Sequence, residues 1–443
     1  MSILFTVLIK AAQLLLSLSI LVIIHEFGHF TFAKLFKTRV EKFYLFFNPW
    51  FSLFKFKRGE TEYGLGWLPL GGYVKISGMI DESMDKEQLS KEPQPWEFRS
   101  KPSGHRLLIM LGGVLFNALF AFLIYSMILF AWGESYLPTQ NARYGIICDS
   151  LALEIGLQHG DKIITVDGQT IENFSDIAPA LLYDGAKSIQ IDRNRQSLNI
   201  PVPGDFISRF IEAKSFIYIA YPFIADDFPK DSYAKSMGVQ IDDNIIGING
   251  KDIPYFGLLV REFQNHIGET ITLTVLRGGQ HVELEMVVPE TGKIGVFPKP
   301  PDYFLEFNDI KYGFFEAIPA GVIKGVGMIK SYLKDMKLVF TPSTKAYKSL
   351  GGFIAIGNIF PGVWDWHSFW LMTAFLSIML GVLNLLPIPA LDGGHVLFLI
   401  IEMITGRKPG DKFMEYAQIV GMLLLLALVL YANGNDIIKL FTK

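Results

Sequence analysis

Hydrophobic positions collect into four dense stretches, residues 4–36, 105–132, 368–390 and 413–432, while 134–367 mixes polar and apolar residues as a water-soluble segment does. A membrane-crossing helix needs roughly 20 mainly apolar residues to traverse ~30 Å of hydrocarbon. The pattern therefore predicts four such helices, at 12–33, 107–130, 369–386 and 419–431. Lys10 and Lys34 flank the first, where lysine heads reach the headgroups. Glu415 blurs the start of the fourth. The first stretch lacks the basic start of a signal peptide, since no basic residue precedes Lys10, and its apolar run continues past Ala33. It reads as a retained helix.

The soluble region repeats itself. GLQHGDKIITVDGQTI (156–171) aligns with GVQIDDNIIGINGKDI (238–253), pairing Gly156 with Gly238, Asp161 with Asp243 and Gly168 with Gly250. Each copy continues into a predicted helix and then into alternating strands, SIQIDRNRQSLNIPV and ITLTVLRGGQHVELEMVV. A period of about 80 residues predicts two copies of one small α/β domain. The shared pattern of glycine, aspartate and isoleucine resembles PDZ domains. Residues 308–340 show helical apolar spacing with interspersed lysines, as in an amphipathic surface helix or a long packing helix.

Half of the 443 residues are hydrophobic and only 19 % are charged, a balance that favours a membrane protein over a soluble one. Net charge is −3, so no basic excess points to nucleic acid. Cys148 is the one cysteine, which excludes an internal disulfide and a cluster of thiolate ligands. Lysine and arginine set the orientation. Lys34, Lys37, Arg39, Lys42, Lys55, Lys57 and Arg58 follow the first stretch, and Arg407, Lys408 and Lys412 separate the third from the fourth. Both loops are expected in the cytoplasm, with the repeats on the other side. Lys439 and Lys443 on the C-terminal tail run weakly against this.

Chemistry enters at HEFGH, residues 25–29. His25 and His29 are four apart, so on a helix both imidazoles share a face and reach one ion. Glu26 suits a general base for metal-bound water. Ionisable groups inside a span are costly and mark function. His25 precedes Ala33 by eight residues, which is about 12 Å inside the cytoplasmic edge. Catalytic zinc takes three protein ligands plus water. The candidate third is Asp392, in NLLPIPALDGGH (384–395), with His395 as its rival. Pro387 and Pro389 block a regular helix there, and irregular backbone at membrane depth requires surrounding protein or water. The segment is therefore expected to bend inward.

HEFGH in the first stretch, paired with NLLPIPALDGG in a late one, resembles the site-2 protease family of intramembrane zinc metalloproteases over nearly the whole chain. The resemblance implies that Zn2+ is held by His25, His29 and Asp392, that Glu26 is the catalytic acid/base, and that Asn384, Pro387 and Pro389 handle substrate. Met379 stands where bacterial relatives often carry a second asparagine. In the family, a sheet in the first cytoplasmic loop dips towards the membrane and pairs with an unwound substrate by strand addition. Here YGLGWLPLGGYVKISGM (63–79) is expected to form a hairpin around Pro69, Gly71 and Gly72. The following SGMIDESMDKEQ is polar and expected to be mobile. Gly112 and Gly113 are expected to let the second helix approach the first, with Asn117 near the site or in an interhelical contact.

The expected fold class is a polytopic α-helical membrane protein with four transmembrane helices, two inserted PDZ-like α/β domains and a membrane-dipping β-hairpin or sheet. The expected parts are a first helix (1–36), a cytoplasmic loop (37–104), a second helix (105–132), two PDZ-like domains (133–220 and 221–303), a helical connector (304–367), a third helix (368–390), a loop (391–412) and a fourth helix with its tail (413–443). The expected function is an intramembrane zinc endopeptidase of the bacterial inner membrane. By resemblance, its substrates are pre-trimmed single-pass proteins of the anti-sigma-factor type, and signal-peptide remnants. The PDZ-like modules would bind a new C-terminus or exclude bulky outer domains. The competing reading, a catalytically silent scaffold, leaves Glu26 unexplained.

Overall fold

The computed structural model describes residues 3–79, 92–183, 185–213 and 215–441. Residues 80–88 of the polar stretch expected to be mobile lie outside the described residues. The chain divides into two compact units, one of Met1–Gly133, Lys311–Lys337 and Leu350–Lys443, the other of Glu134–Ile310 and Leu338–Ser349.

The longer helices of the first unit among the described residues are α1 (Ile3–Leu35), α2 (Ser103–Trp132), α3 (Phe314–Val339), α4 (Trp366–Asn384), α5 (Asp392–Thr405) and α6 (Asp411–Phe441). Of these, α1, α2, α4 and α6 are long and apolar enough to cross a membrane. Leu423, Leu424, Leu426 and Leu430 on α6 are exposed, as a lipid-facing surface requires. The predicted third and fourth spans need correction. The third ends at Asn384, not at residue 386, because a residue preceding proline is driven out of the α region, and Pro387 follows Leu386. The fourth is 31 residues long and begins at Asp411, well before 419. Residues 392–405, expected as loop, form α5. Gly394 permits this, since a Cβ there would lie 2.6 Å from the Ile388 carbonyl oxygen of the turn folding back over the helix start.

Close packing joins α1 to α2. A Cβ on Gly112 would stand 2.6 Å from the Gly28 carbonyl oxygen, so the two backbones touch where glycines face each other. The connector helix α3 is a packing helix. Its Gly321 and Gly325 seat Ser126 and Phe122 of α2, and Ser126 Oγ donates to the Ile318 carbonyl at 3.3 Å. Met328, Ile329 and Tyr332 extend that contact to Ile124 and Ile128.

Between α1 and α2 lies a four-stranded sheet of β1 (Val40–Phe47), β2 (Phe54–Arg58), β3 (Thr61–Leu65) and β4 (Leu68–Ile76), in the order β2-β3-β1-β4. The hairpin expected within 63–79 is not there. β3 pairs parallel with β1 on one side, β4 pairs antiparallel with β1 on the other, and the hairpin is β2–β3. Gly66 explains the difference. Its N–H donates to the Leu45 carbonyl at 2.8 Å, so the chain crosses over the end of β1 instead of turning back. β4 forms one edge of this sheet and packs on α1, with a Cβ at Gly72 lying 2.7 Å from Val22 Cγ1.

The second unit contains the repeat. Each copy runs strand, short helix, strand, short strand, helix and a long antiparallel hairpin before a final strand. In the first copy these include Ile146–Cys148, Lys162–Val166, Ile177–Tyr183, Ser188–Arg193 and Gln196–Pro201; in the second, Phe223–Asp227, Asn244–Ile248, Phe256–Asn265, Thr270–Arg277 and Gln280–Val287. The first copy adds a helix, Phe206–Ala213, before its last strand Ile217–Ile219. Asp167-Gly168 and Asn249-Gly250 all take positive φ, the requirement of the tight turn between the paired strands. The repeated aspartates are each clasped by an arginine that the motif does not contain. Arg193 Nε donates to Asp161 at 2.7 Å and Arg277 Nε to Asp243 at 2.8 Å. The same arginines donate to the carbonyls of Gly156 and Gly238. One clasp thus ties the glycine turn to the hairpin in both copies.

Candidate metal centre

The site grows from one turn of α1. His25 and His29 share a face, and their Nε2 atoms lie 3.2 Å apart. Asp392, the first residue of α5, brings Oδ2 to 3.1 Å from His25 Nε2 and 3.3 Å from His29 Nε2. The three candidate ligand atoms all fall within 4.8 Å of one another. The turn that aims Asp392 has Ala390 at φ 84, a backbone state costly for any side chain and characteristic of functional sites.

Neighbouring helices fix the imidazoles. His29 Nδ1–H donates to the Ile109 carbonyl of α2 at 2.8 Å, which leaves the Nε2 lone pair facing Asp392. His25 Nδ1 meets the side-chain amide of Asn117 at 3.2 Å. Asn117 Oδ1 is buried without a hydrogen bond, and amide oxygen and nitrogen are assigned by their partners. The orientation that places Oδ1 against His25 lets it accept the Nδ1–H and satisfies both groups. Gly113 makes room, since a Cβ there would lie 2.5 Å from His25 Cε1 and 2.6 Å from His29 Nε2.

The arrangement fits a zinc ion. Two imidazoles presenting Nε2 and one carboxylate match the three-ligand set of catalytic zinc. Asp392 Oδ2 is buried and accepts no well-directed hydrogen bond, which a cation shared with the two histidines would offset.

A cavity of about 670 Å³ opens beside the cluster. Glu26, Gly72, Tyr73, Asp392, His395 and Gln418 line it together with both histidines. His395, the rival ligand, faces the cavity but stands outside the cluster of three. Asn384, the last residue of α4, places Nδ2 3.3 Å from His25 Nε2. Pro387 and Pro389 lie in the 385–391 turn and do not line the cavity, nor does Gly71. Met379 packs into an apolar cluster with Leu21 and Phe369, away from polar chemistry. Sequence reasoning missed Ile109, which acts through its backbone and has no sequence signal. It also missed Gln418, whose signal was a polar residue at the edge of the last apolar run.

The model of peptidase family M50 matches residues 13–428. A Campylobacter jejuni protein named "Putative zinc metalloprotease Cj1068" is 30 % identical, over 96 % of this chain and 92 % of its own. The regulator of sigma-E protease RseP of Escherichia coli is 26 % identical, over 97 % of this chain and 98 % of its own. The protease RseP of Yersinia pestis is 27 % identical over 98 % of this chain and the full length of the relative. With a family match spanning nearly the whole chain, this protein belongs to peptidase family M50, the site-2 protease family, and is a zinc metalloprotease of the membrane.

Proposed function

We propose that the chain hydrolyses a peptide bond within or near the transmembrane segment of a single-pass membrane protein already trimmed on its outer side. The observation that carries this reading is the His25–His29–Asp392 cluster, its two histidines on a helix of membrane-crossing length and its aspartate at the start of α5, beside a cavity walled by β4. His25, His29 and Asp392 hold the zinc. When bound, zinc acidifies water and polarises a carbonyl oxygen. Glu26 takes the proton of the attacking water on its carboxylate and gives it to the leaving nitrogen.

The substrate must be unwound, because a helix hides its scissile bonds. β4, which contains Gly71 and Gly72, offers an edge for strand addition, and Gly72 lines the cavity. Asn384, beside His25, orients the substrate backbone, while Pro387 and Pro389 hold the turn between Asn384 and Asp392. The sheet dips into the bilayer, which its exposed Trp50, Phe54 and Phe56 favour. The two repeats act as PDZ-like domains at 133–220 and 221–303 on the periplasmic side, opposite the lysine-rich and arginine-rich loops. Their order of elements and the shared aspartate clasp support one domain type in two copies. The relatives named for sigma-E regulation favour an anti-sigma-factor-type substrate in a bacterial inner membrane, with signal-peptide remnants as a second class.

The test is Glu26→Gln protein in liposomes with a tagged single-span substrate. We expect cleavage to fall by more than about a hundredfold, the range of a positioned general base. Undiminished cleavage overturns the mechanism. Partner binding without cleavage by either form would instead support the scaffold.

A further inference from the structure

Several buried polar side chains of the first unit hydrogen-bond to their neighbours. Gln13 donates to the Pro361 carbonyl at 2.9 Å, Ser377 to the Asn117 carbonyl at 2.8 Å, and Asp436 accepts the Gly352 N–H at 2.9 Å. Gln418 differs. It is only 7 % exposed, yet it makes no hydrogen bond to any described residue, and its side chain lines the catalytic cavity. Its amide opens to that cavity instead of to the packed interior, where it can bind a group that enters. Such a group points to a partner arriving from outside the chain.

The position is fixed by packing. Gly421 lies three residues on and therefore on the same face of α6. It sits directly against the Pro389 carbonyl, in the turn that leads to Asp392. Ala390, Leu391 and Asp392 line the same cavity as Gln418. A larger residue at 421 would push α6 off the turn and withdraw the amide.

We infer that Gln418 is a substrate-binding residue that hydrogen-bonds the main chain of the unwound substrate beside the zinc ligands. The inference rests on the proteolytic reading given above. A glutamine amide carries one acceptor and a pair of donors, the complement of a peptide group. An extended strand presents main-chain groups on two edges, and β4 can engage one of them. Gln418 comes from a different element, beside the Asp392 turn, and serves the edge that β4 leaves free.

The experiment uses the zinc-loaded full-length protein in liposomes. Gln418→Leu is assayed against a single-span substrate and against depsipeptides in which one backbone N–H near the cleaved bond is replaced by an ester oxygen. We expect kcat/KM on the all-amide substrate to fall about tenfold, the worth of one hydrogen bond in a dry site. Zinc stoichiometry and thermal midpoint should not change, and Gln418→Asn should retain more activity than Gln418→Leu. At one ester position the difference between wild type and Gln418→Leu should vanish. Gln418→Met provides the same comparison if the leucine variant does not insert. Wild-type kcat/KM in the apolar variant, an equal loss with every depsipeptide, or a loss of zinc would each overturn the inference. Glu26→Gln separates the two readings. If that variant still cleaves, the proteolytic mechanism fails, and if it is inert while Gln418→Leu is fully active, only the role of Gln418 fails.

Discussion

His29 Nδ1 stands 2.8 Å from the carbonyl oxygen of Ile109, one helix away, so α2 decides which nitrogen of the second histidine faces the site. The donor is a side chain of the HEFGH turn and the acceptor belongs to a backbone. No substitution at Ile109 removes it directly, but anything that shifts α2 along α1 does.

The glycine contact between those helices is therefore expected to be sensitive. Gly113→Ala places a methyl group against both imidazoles, where a Cβ comes within 2.5 Å of His25 Cε1. The helices should still insert, because alanine favours helix over glycine by about 1 kcal/mol. Zinc content and proteolysis should both fall. Metal analysis of purified protein alongside a protease-protection assay separates that outcome from misfolding.

Asn117→Leu removes the group facing His25 Nδ1 while keeping the volume. Zinc affinity should drop about 10- to 100-fold, as when other partners of metal-bound histidine are lost. Competition with a chelator of known strength measures it. Unchanged affinity would assign Asn117 to helix packing alone, through the bond its carbonyl accepts from Ser377.

The two aspartate clasps should be energetically alike. Asp161 and Asp243 are 1 % and 0 % exposed. Removing one arginine leaves a buried carboxylate unpaired, a cost of about 3–5 kcal/mol. Arg193→Met and Arg277→Met should each open the second unit to limited proteolysis at lower urea than the wild type. Replacing the aspartate and its arginine together with apolar residues should restore much of the loss.

Burial pushes the Cys148 thiol up to about 12, and it is fully shielded in the first repeat. The raised value means that the neutral thiol persists through pH 8 and that thiolate forms only as pH approaches the shifted value. A maleimide should leave the native protein unlabelled at pH 8 and modify it once urea unfolds the repeat. Rapid labelling of the folded chain would contradict the packing around Ile146 and Cys148.

How much of this was legible beforehand depends on the range of the interaction. The spacing of His25 and His29 and the four apolar stretches are local patterns, and both carried over directly into α1 and the long helices. The repeat was legible too, because its turns need glycine at positive φ, as at Gly168 and Gly250. Strand pairing was not, since the order β2-β3-β1-β4 depends on Gly66 meeting the backbone of β1, a contact made across the fold. The length of α6 was hidden by Glu415 and Gln418, which interrupt the apolar run without interrupting the helix. Arg193 and Arg277 escaped notice because the motif ends before the strands that carry them.

The three candidate ligands come from opposite ends of the chain, in α1 and α5, and this has a consequence for biosynthesis. A ribosome delivers the two histidines early and the aspartate only after both repeats have emerged. The half-made protein holds Glu26 and an imidazole pair but no complete cradle for a cation. During its own insertion it is inert towards the nascent helices crowding the translocation machinery. On the proposed mechanism, hydrolytic competence is thereby timed by translation itself.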